Sequence, residues 1–285
     1  EVLTYSKALF ISNEFNLYFY YTNAALSKSI SKKYSGNYVE TITDELLAFS
    51  DWICLCTPTD YHYYYLKLLF NLKNKFILCE KPISYNVQEI DDLNSLYQNT
   101  TSTVYVNYFR RFQPSYISFK NKYSKLFKLN TLKECSIDYC RGFINNASHA
   151  FDLLEYLFDN TVDLKNGCVS KKEYDAFKND PTVSLTAEWG NSKIIVNGHT
   201  QPFNPFFQMN LLFDSFSVDF LNSGNDIFIF NTMNKTIPVF HQKECLKNYM
   251  QNIVSFFRDT KIVNENSNFV SSLNLNKKLI YYISR

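Results

Sequence analysis

Residues 51–85, DWICLCTPTDYHYYYLKLLFNLKNKFILCEKPISY, constrain this chain more than any other stretch. The apolar run Trp52–Cys56 stops at Thr57-Pro58, a helical pattern begins near His62, and a second apolar run, Phe76–Cys79, stops at Glu80-Lys81-Pro82. Short apolar runs bounded by turn residues read as strands, so the stretch predicts a βαβ unit with a right-handed crossover. Both polar turns then fall at the carboxyl ends of parallel strands, where open α/β sheets hold ligands. The flanking segments continue the alternation. Glu1–Phe10 reads as the end of a helix, Phe15–Tyr21 as a strand, Ala24–Tyr34 as a helix and Tyr38-Val39 as a short strand. Thr43–Phe49 reads as a helix capped by Thr43, Asn86–Tyr97 as another helix and Thr103–Asn107 as another strand. The expectation is an α/β, doubly wound parallel sheet over residues 1–112.

The Thr-Pro-x-x-x-His of Thr57, Pro58 and His62, followed at this spacing by Glu80-Lys81-Pro82, resembles the glucose–fructose oxidoreductase, inositol dehydrogenase and rhizopine-catabolism (Gfo/Idh/MocA) family of nicotinamide-dependent dehydrogenases. The resemblance implies a Rossmann-like first domain with NAD or NADP as cofactor, held near Thr57, Pro58, His62, Glu80 and Lys81. In that family a first strand and a Gly-x-Gly-x-x-Gly turn carry the pyrophosphate. These residues open on Glu1 and contain no such turn. The expectation is an amino-terminal truncation, with a relative unable to hold a dinucleotide as the alternative. After Phe15–Tyr21, Tyr21-Thr22-Asn23 offers no carboxylate for ribose hydroxyls, and Lys28, Lys32 and Lys33 follow. That pattern permits NADP and equally suits lysines that only solvate a helix face.

Residues 113–285 read as an α+β domain with one large, mainly antiparallel open sheet. Ser115–Phe127 suits a helix and Leu132–Tyr139 a strand. A helix from about Asn146 follows, with an apolar stripe at Leu153, Leu154 and Leu157. Val183–Glu188, Lys193–Asn197, Phe207–Phe213, Phe216–Phe220 and Ile227–Phe230 bring the sheet to about six strands, and Glu244–Arg258 and Val270–Ile283 close the chain as helices. Phe203, Phe206 and Phe207 fall either to the core or to a subunit interface.

His149 and Asp152 share a helix face, and Asn145 lies one turn back on it if the helix starts early enough. The run Asn145-x-x-x-His149-x-x-Asp152-Leu153 resembles the family's Asp-x-x-x-His-x-x-Asp-Leu, which lies opposite the nicotinamide. It implies that Lys81 and His149 are catalytic, the imidazole removing a hydroxyl proton and the ammonium stabilising the developing alkoxide. The sequence departs from the family at Asn145, an amide that orients an imidazole without stabilising its charge. Either Asp152 supplies that charge or the reaction relies more on Lys81. Val106–Pro114, VNYFRRFQP, resembles the family's passage between domains and puts Arg110 and Arg111 at the junction, where they could bind a carboxylate, a phosphate or a backbone carbonyl. Asn145, Asp152 and Arg111 are the candidate substrate-binding residues.

Composition narrows the function classes. With 46% hydrophobic and 20% charged residues a sizeable core is available, and a net charge of +2 spread along the chain gives no nucleic-acid stripe. No uninterrupted apolar run is long enough for a membrane span, and no signal peptide is visible. The seven cysteines read as reduced thiols of a cytoplasmic protein, not as disulfides or metal ligands. A metal-dependent hydrolase built on His62 and His149 lacks a carboxylate–histidine spacing. The expected activity is hydride transfer between NAD(P) and a hydroxyl of a small sugar, cyclitol or nucleotide-sugar, in surface-polysaccharide synthesis, by a homodimer or homotetramer joined through the open sheet. A non-catalytic sugar-binding or scaffolding relative is the alternative.

Overall fold

The uninterrupted apolar runs form the parallel strands they predict. The computed structural model describes residues 5–129, 131–200, 206–232, 234–259 and 267–284, so the first four residues of the expected opening helix and Phe203 lie outside the described residues. The first half runs α1 (Tyr5–Ser12), β1 (Tyr18–Phe19), α2 (Ala24–Lys33), β2 (Asn37–Tyr38), α3 (Asp44–Phe49), β3 (Trp52–Leu55), α4 (His62–Leu69), β4 (Phe76–Cys79), α5 (Val87–Tyr97) and β5 (Thr103–Val106). Strands β3, β4 and β5 pair in parallel with Trp52 opposite Phe76 and Phe76 opposite Thr103. A separate parallel pair joins β1 to β2, and the expected strand Phe15–Tyr21 narrows to two residues. Thr43 caps α3 by accepting from Leu46 N, and Asn86 caps α5 by accepting from Gln88 N.

Every residue of β4 and β5 is buried, as a sheet covered on both faces requires. Phe76, Leu78 and Tyr105 point to one side, and Ile77, Cys79, Val104 and Val106 to the other. The helices that complete the cover come from the far end of the chain. The second half runs α6 (Pro114–Leu129), β6 (Leu132–Cys140), a π-type turn over Phe143–Ala147 and α7 (Ser148–Phe158). It continues with β7 (Lys165–Phe177), β8 (Asp180–Trp189), β9 (Ser192–His199), β10 (Phe207–Phe213), β11 (Phe216–Leu221), β12 (Asp226–Asn231), β13 (Asn234–Gln242), α8 (Tyr249–Asp259) and α9 (Phe269–Ser284). Ile253 and Phe257 of α8 pack on Phe76, Leu78 and Tyr105, while Phe269 of α9 packs on Phe70 and Tyr97. The carboxy-terminal helices therefore belong to the core of the first sheet.

The second sheet has the order β13-β12-β11-β10-β6-β9-β8-β7, with β6 and β9 parallel and the other neighbours antiparallel. Its inner face packs Ile137, Leu185, Val196, Leu211 and Phe220 against α6 and α7. Among the described residues it has eight strands where about six were expected. Strand β7 is exposed along nearly its whole length and lies at an edge, so its sequence shows no alternation. Strand β13, at the other edge, contains Pro238 beside a register shift; proline is tolerated only at such edges and bulges. The helix expected from Glu244 starts at Tyr249, because Glu244 and Asn248 adopt left-handed backbone (φ 54° and 57°). Phe207 is buried, and Phe206 is half-buried.

Candidate active site

The turns after β3 and β4 are tied together by His62. Its Nδ1 lies 2.8 Å from the Pro82 carbonyl and its Nε2 2.8 Å from the Thr57 carbonyl. Both partners are acceptors, so a neutral ring can donate to only one of them. Burial holds the imidazole pKa below its ordinary value, although both carbonyls, Glu80 and Asp60 pull the other way. His62 is thus a buried brace between the two turns. Above it, Thr57 Oγ1 is buried without a hydrogen-bond partner among the described residues. An unpartnered hydroxyl at the carboxyl end of β3 fits a ligand that brings a polar group to this edge, as a nicotinamide dinucleotide does. Glu80 is fixed by the Asn107 amide, which donates to its Oε1 at 2.8 Å. Asn23, at the position expected to meet the ribose, instead caps α2 by accepting from Leu26 N.

A cleft of about 670 Å³ opens between the sheets, lined by Lys81, Asn107, Phe109, Arg110, His149 and Tyr249, among others. Lys81 donates to the Asn145 carbonyl at 2.6 Å. Burial pulls the Lys81 ammonium down to about 8, opposed by Glu80 and Asp180 and reinforced by Arg110 and Arg141. The His149 ring is packed edge-on against Tyr108 and Phe109, with centroids at 5.7 Å and 5.2 Å. Burial first, and then the charges of Lys81 and Arg110, push its pKa well below the ordinary imidazole value. His149 is therefore neutral at pH 7, beside a cation.

The other candidates divide. Asn145 touches the Lys81 side of the cleft through its carbonyl, while its amide donates to Tyr85 Oη (2.8 Å) and Asp180 Oδ2 (2.7 Å). Arg111 and Asp152 take each other: Arg111 Nε lies 2.8 Å and 2.9 Å from the two carboxylate oxygens, in a largely buried pair at the domain junction. The structure joins them to each other and does not put them among the residues lining the cleft. Arg110 is sandwiched between Phe109 and Phe207, at 4.6 Å and 4.3 Å, and donates to the Ser223 carbonyl at 2.6 Å. Asp180 and Tyr85 escaped the sequence reading. Asp180 sits in Lys178-Asn179-Asp180-Pro181, whose local signal is only that of a turn.

Among the described residues, no group of three or more His, Cys, Asp or Glu side chains could hold a metal, and no helix is long and apolar enough to cross a membrane. Residues 7–108 match the family model described as oxidoreductase family, NAD-binding Rossmann fold (Gfo/Idh/MocA). The uncharacterized oxidoreductase YrbE of Bacillus subtilis (strain 168) is 29% identical over 125 residues, which span 39% of this chain and only 36% of that protein. Among solved structures, UDP-N-acetylglucosamine 3-dehydrogenase GnnA from Acidithiobacillus ferrooxidans aligns with a TM-score of 0.74 at 16% identity, over 100% of this chain and 93% of its own. KijD10, a 3-ketoreductase from Actinomadura kijaniata in complex with NADP and TDP-benzene, gives 0.76 at 8% identity, over 97% and 91%. A super-repressor mutant of Gal80p from Saccharomyces cerevisiae gives 0.75 at 12% identity, over 99% and 90%. Likenesses at these identities establish the two-domain fold.

Proposed function

Residues 7–108 match the Gfo/Idh/MocA oxidoreductase family model, and on that premise we propose that the chain is a member that moves a hydride between NAD or NADP and a hydroxyl of a sugar, cyclitol or nucleotide-sugar. The observation that carries this reading is that Lys81 and His149 line one cleft, close enough for the lysine charge to depress the imidazole pKa. Thr57, Pro58, Glu80 and Lys81 would hold the cofactor, with His62 bracing their turns. When bound, the nicotinamide supplies a two-electron acceptor for the carbinol hydrogen. His149, kept neutral, accepts the hydroxyl proton on a ring nitrogen. The Lys81 ammonium stabilises the negative charge that grows on the oxygen. An ammonium titrating near 8 is present at pH 7 and lost as pH rises further, so oxidation should fall off above about pH 8. The depressed His149 value keeps the proton acceptor available well into the acid range.

The test is Lys81→Ala in protein shown to bind NAD(P)H, followed by cofactor absorbance against nucleotide-sugars, sugars and polyols. The loss should be a few kcal/mol, or roughly hundreds-fold in turnover. A wild-type rate with an accepted substrate would sink the assignment. A nucleotide-linked sugar is the preferred substrate, supported by the fold neighbours named for UDP-N-acetylglucosamine oxidation and for a complex with a TDP ligand. Tyr21-Thr22-Asn23, without a carboxylate, leaves room for the NADP phosphate. All seven cysteines are free, which suits a cytoplasmic setting. The open face of the eight-stranded sheet, where Phe228 stacks on Phe230 and His241, is the proposed homodimer or homotetramer interface. The second reading, a non-catalytic sugar-binding relative, is favoured by the amide at Asn145; cofactor binding with no turnover across the panel is its signature.

A further inference from the structure

The turn that presents the partner of Lys81 is held by a carboxylate that no sequence motif marks. Asp180 opens β8, is fully buried (0% exposed), and accepts three hydrogen bonds. Ile144 N reaches its Oδ1 at 2.8 Å, while Asn145 N and Asn145 Nδ2 both reach its Oδ2 at 2.7 Å. All three donors belong to the π-type turn Phe143–Ala147, whose Asn145 carbonyl takes the Lys81 ammonium. The turn lies so close to the carboxylate that a Cβ on Gly142, at φ +85°, would stand 2.2 Å from Oδ2. Burial raises the Asp180 carboxyl above its ordinary value, and the three converging N–H donors, with the Lys81 ammonium, oppose that and favour the charged form.

We propose that Asp180 is a positioning residue: ionised, it fixes Asn145 so that its carbonyl aims Lys81 into the cleft, and it supplies the negative charge that position 145 lacks. The role rests on the reading of Lys81 as the group that meets the substrate hydroxyl, but the coupling itself can be measured without turnover. Lys81 faces Glu80 beside it, Arg110 at the domain junction, Arg141 before the turn, His149 on α7 and Asp180 behind Asn145. Asp180 in turn faces Lys81 and the hydroxyls of Tyr85 and Tyr139, while Asp175 accepts from the Thr182 hydroxyl, which itself accepts from Gly142 N at the start of the turn. Without Asp180, one nearby anion, Glu80, faces two arginines across the same ammonium, so Lys81 should release its proton at lower pH.

The experiment labels lysines by reductive ¹³C-methylation and follows the Lys81 resonance, assigned by its absence in Lys81→Arg, through a pH titration. Asp180→Asn should lower the Lys81 midpoint by about one pH unit and move the alkaline limb of turnover with it, with the cofactor KM unchanged. Asp180→Ser, which leaves room for water to take the stranded donors, should show the same shift. Moving the carboxylate back, in Asp180→Asn with Asn145→Asp, should restore most of the midpoint, which a purely structural role would not predict. An unchanged midpoint in folded Asp180→Asn or Asp180→Ser overturns the proposal, as does failure of both to fold while Lys81→Ala folds. If the midpoint shifts but Lys81→Ala is fully active, the coupling stands and the reading of Lys81 as catalytic fails instead.

Discussion

Replacing Asn276 by leucine removes a polar clamp between the last helix and the turn that carries Lys81. The Asn276 side chain, 1% exposed on α9, accepts from Ile83 N at 2.9 Å and Ser84 N at 3.1 Å, and donates to Ser84 O at 3.0 Å. Leucine has the same branching with bulkier methyl groups, so no cavity opens, and the effect combines the lost hydrogen bonds with some overpacking. Two N–H groups and one carbonyl are stranded out of water, each at about 1–3 kcal/mol. Partial relaxation and roughly 1 kcal/mol gained from the more apolar side chain reduce the sum to about 3 kcal/mol. Urea denaturation at unchanged slope should report it as a midpoint shift of about 1 M. Asn121→Leu, on an exposed position of α6, is the control and should stay within about 0.5 kcal/mol. Because the clamped residues directly follow Lys81-Pro82, turnover per folded molecule should fall as well. A loss below about 1 kcal/mol for Asn276→Leu would mean that the turn finds other partners, refuting the clamp.

Burial pushes the Glu155 carboxyl from its ordinary 4.5 up to about 7. The folded protein then keeps a proton that the unfolded chain releases, so stability falls as pH rises from about 4.5 through 7. Glu155→Gln, which keeps an acceptor for Val162 N, should match the parent near pH 4 and exceed it at pH 8 by about 1–3 kcal/mol in chemical denaturation. Arg111→Met should cost about 3–5 kcal/mol by leaving Asp152 buried and uncompensated, and Arg111→Met with Asp152→Leu should regain most of it. A double-variant cost equal to the sum of the two single-variant costs in a mutant cycle would show that the pair is not coupled. A strictly monomeric mass by light scattering at micromolar concentration would contradict assembly through the open sheet.

Much of the first domain was legible because its signals are local. Phe76–Cys79 and Thr103–Val106 carry uninterrupted apolar runs, and only a strand covered on both faces needs that pattern. Thr43 and Asn86 mark helix starts because a side-chain oxygen satisfies an N–H two or three residues away. Lys81 and His149, singled out by short motifs at strand and helix ends, line one cleft. What the candidate residues meet was not legible. The His62 ring joins carbonyls 20 and 5 residues away, which turns a candidate cofactor contact into a brace. Asp152 and Arg111, proposed separately for substrate, proved to be each other's partner across 41 positions.

The sequence by itself determined the strand–helix alternation, the two turns at the carboxyl edge and the alternating strands of the second sheet. Hydrophobic period and capping chemistry act over a few residues, and each segment carries its own record of them. The tertiary structure decided that α8 and α9 return to cover the first sheet, that exposed β7 and proline-bearing β13 extend the second, and that Asp180 reaches the turn before His149. Periodicity records that a face is buried but not which element buries it. A strand exposed on both faces, as β7 is, has no burial pattern to record. A buried carboxylate is placed by donors that converge only after chain segments 35 and 36 residues apart have packed together.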